Sequence, residues 1–296
     1  MPTKSSLSLL IFVGLNLVAF GQSMNSSEIL HELQKLKKVG SVLFVAAHPD
    51  DENTTLLSYL AQEEKLDTAY LSLTRGGGGQ NLIGPELNQE LGLIRANELL
   101  QARKIDGAIQ LFTRARDFGY SKNPEDTLEN WEEDEVLGDV VYAVRQFKPD
   151  VIITRFNPAA GPTHGHHTVS AQLALKAFNL AADPHAFTEQ LSELETHQAK
   201  RILWNGFGQR RRAGGGPPLA SSEDEPHEVV SLEVGLYNPY LGTSYTELSA
   251  RSRSMHKSQG FGRVGQRGSQ FERMVLLAGE PSEGDFLMGV ETTWRR

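Results

Sequence analysis

Residues 44–52 read FVAAHPDDE, a histidine and three acidic residues directly behind an apolar run. His48 and Asp51 stand three apart in a turn. That spacing lets an imidazole nitrogen and a carboxylate oxygen aim at one point, and the pair suits Zn2+ or a similar divalent ion. Pro49 stiffens the turn, and Asp50 projects beside such an ion without having to bind it. Carboxylates at a helix start also cap the helix and favour its dipole, so this stretch alone supports either reading. A second cluster tips the balance toward a metal. Residues 156–174, FNPAAGPTHGHHTVSAQLA, carry His164, His166 and His167 on a loop that opens a helix. The chain has no cysteine, which excludes thiolate ligands, disulfides and a cysteine nucleophile and leaves His, Asp and Glu as the metal donors. His48, Asp51 and one further histidine would leave an open position for water, as a catalytic zinc site requires.

The elements around these clusters alternate. Short, continuous, β-branched-rich runs at 41–47, 68–74, 109–113, 151–156 and 201–205 read as buried strands. Helical patterns fill the gaps at 54–64, 85–104, 127–147 and 168–183. This alternation predicts an α/β fold of βαβ units, a mostly parallel sheet with helices on both faces. In such sheets ligands bind outside the carboxyl ends of the strands, and both clusters follow strand ends. Residues 74–81, TRGGGGQN, lack the G-K-[ST] ending of a phosphate loop and read as a conformationally free glycine run. No G-x-G-x-x-G follows the first strand, so a nicotinamide site is not expected.

The 296 residues suit one large domain or two small ones, and the net charge of −8 argues against a general nucleic-acid binder. Residues 1–21 read as a signal peptide: one lysine, an apolar core, then Ala19 and Gly21 at the positions preceding cleavage. The expectation is an exported protein, periplasmic or extracellular, with no stable membrane insertion after cleavage. A helical lead-in fills 22–40, and residues 210–228 read as a long mobile loop inside one domain spanning 41–296.

With these residues in view, AHPDDE after the first strand and the later H-x-x-H (HGHH) resemble the PIG-L/LmbE-like N-deacetylase family. LTRGGGGQN, IRANELLQA and MHKSQG resemble further family elements, so the likeness runs from about Ser41 to Gly260. It implies a Rossmann-like three-layer sandwich and a Zn2+ hydrolase, or one using another divalent metal such as Fe2+, that removes N-acyl groups, usually acetyl, from amino sugars or glycans. It also implies His48, Asp51 and His167 as metal ligands, Asp50 as general base and His164 beside the substrate carbonyl. Arg95 matches a family arginine that points toward substrate; an i, i+3 surface ion pair with Glu98 is the competing reading. His166 and His256 are further candidates for contact with substrate, His256 also reading as a structural histidine. The family often has H-P-D-H where this chain has H-G-H-H, so Gly165 and His166 replace Pro and Asp. Two rival functions stand beside the deacetylase: an esterase or other amidase on the same metal, and a non-catalytic sugar-binding module.

Overall fold

On β1 (Ser41–Ala46), Val42, Phe44 and Ala46 face one side and Leu43 and Val45 the other, and all five are buried. A strand that is apolar on both faces needs cover on both, which places it at the centre of a layered sandwich. The computed structural model describes residues 24–159, 161, 163–206, 228–262 and 264–294. The expected signal peptide, and all of the 210–228 loop except Glu228, lie outside these residues.

Beside β1 run β2 (Asp67–Ser72), β3 (Ile109–Phe112), β4 (Val151–Thr154) and β5 (Arg201–Trp204), all parallel. Then come β6 (Val229–Glu233), the small hairpin of β7 (Tyr237–Asn238) and β8 (Thr243–Ser244), and β9 (Phe271–Gly279). Among the described residues, seven strands form one sheet in the order β3-β2-β1-β4-β5-β9-β6, with β9 antiparallel to both of its neighbours. β9 was not expected from the sequence.

The helices are α1 (Ser26–Lys35), α2 (Thr54–Gln62), α3 (Asn88–Asp106), α4 (Pro124–Leu128), α5 (Glu133–Phe147), α6 (Gly165–Leu180) and α7 (Tyr245–Arg253). One core joins Val42 and Phe44 to Leu56, Leu57 and Leu60 of α2 and Leu248 of α7. The other joins Leu43 and Val45 to Val140 and Val144 of α5 and Leu173 and Ala177 of α6. The expected α/β sandwich, mostly parallel with a helical layer on each face, is therefore what forms. The single helix expected over 127–147 is instead two. Between them Trp131 turns inward, 3% exposed, and its Nε1 donates to Arg116 O at 2.8 Å. No helix of the described residues is long and apolar enough to cross a membrane.

Strand order reverses beside β1. β2 and β3 extend to one side of it, β4 and β5 to the other. The carboxyl ends of β1 and β4 thus meet at a topological switch point, where open α/β sheets bind ligands.

Candidate active site

The turn after β1 begins with His48 and is closed by a side chain: His48 N–H donates to Asp51 Oδ2 at 2.8 Å. His48 Nδ1 lies 3.1 Å from the same oxygen, and Asp51 Oδ1 lies 3.4 Å from His167 Nε2. His167 reaches this point from the first turn of α6, its ring stacked flat on Phe156 at 3.8 Å. His48, Asp51 and His167 therefore offer two imidazoles and a carboxylate with donor atoms within 4.8 Å of one another. A second group, His48, His164 and His166, meets the same distance limit, and the other nitrogen of His48, Nε2, sits 2.9 Å from His166 Nδ1. Imidazole and carboxylate donors in these numbers suit a zinc-like divalent cation.

The charges are tightly balanced. Burial opposes ionisation of Asp51, but hydrogen bonds and charges from His167 and His48 overcome it and hold this carboxyl well below the usual range. For His48, burial disfavours the charged ring, and Asp51 more than offsets that, raising its pKa. Asp50 behaves oppositely: burial, reinforced by the negative charge of Asp51, pushes it up to about 7. Burial and the neighbouring His48 and His167 lower His164 to about 4.

Asp50 adopts φ of 110°, a region that L-residues seldom enter. Both ends of its backbone are clamped. Its N–H donates to Glu52 Oε2 at 2.9 Å, and its carbonyl accepts from Arg253 Nη1 at 2.7 Å. Glu52 is itself buried among His256 (2.6 Å) and Arg103 (3.3 Å), and Arg103 continues to Asp106 at 2.7 Å. Burial opposes the Glu52 charge, but His256 and Arg103 hold it down to about 2.

Several expectations need correction. His256 is 0% exposed and spends Nε2 on Glu52, so it supports the Asp50 turn and has no surface to offer a substrate. His166 is equally buried and touches His48 instead. Arg95 and Glu98 form no surface ion pair: both are buried and both turn to Ser258. Arg95 also donates to Gly76 O and Gln80 O, at 2.6 Å each, which fixes the glycine loop. Arg95 also borders a small cleft, with three of its five N–H donors taken by the protein. The glycine run is not merely free chain either. Gly76 has φ of 70°, and a Cβ on Gly78 would collide with Gly119 N and the Asp117 carboxylate.

Gly165 in the HGHH motif also has a local cause. Its N–H donates to Ser121 O at 3.0 Å, a bond that proline lacks, and a Cβ there would run into Asn123 O, Ser121 and Thr127. His164 caps α6, its Nδ1 accepting from His166 N–H at 3.2 Å, which leaves Nε2 as its available nitrogen.

Two clefts flank Asp50. A cleft of about 960 Å³ is lined by Asp51 and His167 with Arg155, Phe156, Arg253 and Phe261. A smaller one of about 210 Å³ is lined by His48, His164, Gly78, Asp117, Gly119 and Tyr120. Asp117 and Tyr120 went unnoticed in the sequence. The signal was available, because RARDFGY follows β3 at the same carboxyl end of the sheet as the two clusters.

Residues 43–178 match the family model described as PIG-L, GlcNAc-PI de-N-acetylase. Over 226 residues the chain is 31% identical to a 1D-myo-inositol 2-acetamido-2-deoxy-alpha-D-glucopyranoside deacetylase of Geodermatophilus obscurus, an alignment covering 65% of this chain and 76% of that protein. The chain belongs to the PIG-L family. The PIG-L match spans both clusters, from β1 into α6. A Streptomyces avermitilis relative described by the same deacetylase name is 28% identical over 253 residues, 74% of this chain and 82% of that one. Among solved structures, N,N'-diacetylchitobiose deacetylase from Pyrococcus horikoshii superposes with a TM-score of 0.53 at 18% identity, covering 74% of this chain and 70% of that one. That likeness extends the PIG-L sheet and its helical layers to a solved fold.

Proposed function

We propose that this chain is a zinc-dependent hydrolase that removes the N-acetyl group from an amino sugar or glycan. The carrying observation is the convergence of His48 Nδ1, Asp51 and His167 Nε2 at the switch point, with Asp50 alongside. The names of the PIG-L relatives, deacetylases of N-acetylated glucosamine units, support the choice of bond and substrate class.

His48, Asp51 and His167 hold the cation in this reading. When bound, Zn2+, or Fe2+ in its place, polarises the amide carbonyl and acidifies the attacking water. Asp50 takes the proton from that water; burial, which raises its carboxyl, favours a base that accepts a proton near neutral pH. His164, neutral and with Nδ1 tied to its own helix, presents Nε2–H to the oxygen that becomes negative as the carbonyl is attacked. Asp50 then returns its proton to the departing amine. Acetate and a free amino sugar result. Export of the mature chain rests on residues 1–21 and directs the reading toward glycan or cell-wall fragments; fractionation of the source cells checks it.

The deciding experiment pairs metal content with acetate release. Purified protein should contain about one zinc per chain, lost in His48→Ala/His167→Ala. It should also release acetate from N-acetylglucosamine oligomers. Faster turnover of O-acetyl sugars would make it an esterase. No site-dependent metal after reconstitution would leave a sugar-binding module.

A further inference from the structure

His48 faces a different group with each of its ring nitrogens. Nδ1 lies 3.1 Å from Asp51, whose other oxygen is 3.4 Å from His167, and Nε2 lies 2.9 Å from His166, beside His164. The first set brings a carboxylate to a dication in a sheltered site, whereas three neutral imidazoles bring no compensating charge. A cation held through Nδ1 leaves the His48 proton on Nε2. The acceptor within reach is His166 Nδ1, at 2.9 Å.

His166 is built for that single contact. It is fully buried, stacked on Trp131 at 4.8 Å and met edge-on by Phe118 at 4.5 Å. Its Nε2 has no hydrogen-bond partner among the described residues. Burying a ring nitrogen without a partner is destabilising, so packing alone would favour an apolar ring here. The partners of a metal-bound histidine fix its tautomer and direction.

We propose that His166 is a positioning residue: it accepts the hydrogen bond of His48 Nε2 and so holds the lone pair of Nδ1 toward Asp51 and His167. The inference rests on the metal-dependent reading above. It gives this chain a neutral imidazole where H-P-D-H carries a carboxylate, so His48 is oriented without a second negative charge beside it.

Two substitutions separate this role from packing. His166→Phe keeps an aromatic ring between Trp131 and Phe118 and removes the acceptor. His166→Asn places a carbonyl oxygen as many bonds from Cβ as Nδ1. Zn2+ affinity is read by competition with a chromophoric chelator, and thermal unfolding is followed on the metal-free proteins. The Phe variant should bind Zn2+ about 10- to 100-fold more weakly without a lower unfolding temperature, and the Asn variant should recover most of that loss. In wild-type protein with 15N-labelled histidines, loaded with 113Cd2+, scalar coupling should appear at His48 Nδ1. Wild-type affinity in the Phe variant, or coupling at Nε2, would overturn the proposal, and the coupling decides alone if the Phe variant does not fold. A wild-type protein that binds no Zn2+ takes the metal-dependent reading down with it, which is a different result from binding that ignores His166.

Discussion

Asp50 and its neighbour Glu52 divide two tasks between carboxylates two positions apart. One sits at the junction of both clefts with a raised pKa; the other is sealed beneath it and stays charged. Asp50→Asn should lower kcat by roughly 10²- to 10⁴-fold while zinc content stays at the wild-type level, because a base is lost and no ligand is. Arg103→Met should act on stability instead. It strands Glu52 and Asp106 in the interior, and removing one member of a buried ionic group costs about 3–5 kcal/mol, measurable by urea unfolding. The proposed ligands stand out in the sequence because HPDDE and HGHH each concentrate the right donors at a strand end. Glu52 was not legible as a support. Its partners Arg103 and His256 lie 51 and 204 positions away, and nothing local marks them.

At the level of elements, the loop after β2 and the segment after β3 both line the smaller cleft. They approach so closely at Gly78 and Gly119 that a side chain at Gly78 has nowhere to go. Gly78→Ala should therefore push Asp117 outward and reduce kcat/KM on the order of 10²-fold, with zinc binding unaffected, as steady-state kinetics and elemental analysis would report. The parallel strands and their helices were readable because each strand is a continuous apolar run, the pattern that burial on both faces imposes. The break between α4 and α5 was not, since it depends on where Trp131 finds a carbonyl. Nor was β9, whose apolar run follows a polar stretch with no helical pattern to pair it with.

For the whole molecule, the proposed cation site would tie the end of β1 to α6 through residues 119 positions apart, His48 and His167. Binding there should stabilise the fold as a unit. With free Zn2+ at 100 times its dissociation constant the gain is about 2.7 kcal/mol, so adding a chelator should lower Tm by several degrees and His48→Ala should abolish the shift. The fold class was legible at this scale. The reversal of strand order beside β1 was not, because periodicity reports which segments are strands and not which neighbours they choose.

The insertion of β9 between β5 and β6 also sets a timetable. During synthesis the chain leaves the ribosome from its amino end, so every residue of the proposed metal site and its base emerges about a hundred positions before the strand that completes the sheet. Until residues 271–279 arrive, β5 presents an unpaired edge, and an open edge can recruit another chain. A nascent or truncated form ending before Phe271 would thus carry the proposed site residues on a scaffold prone to self-association, and a chaperone that delays folding until release would protect it.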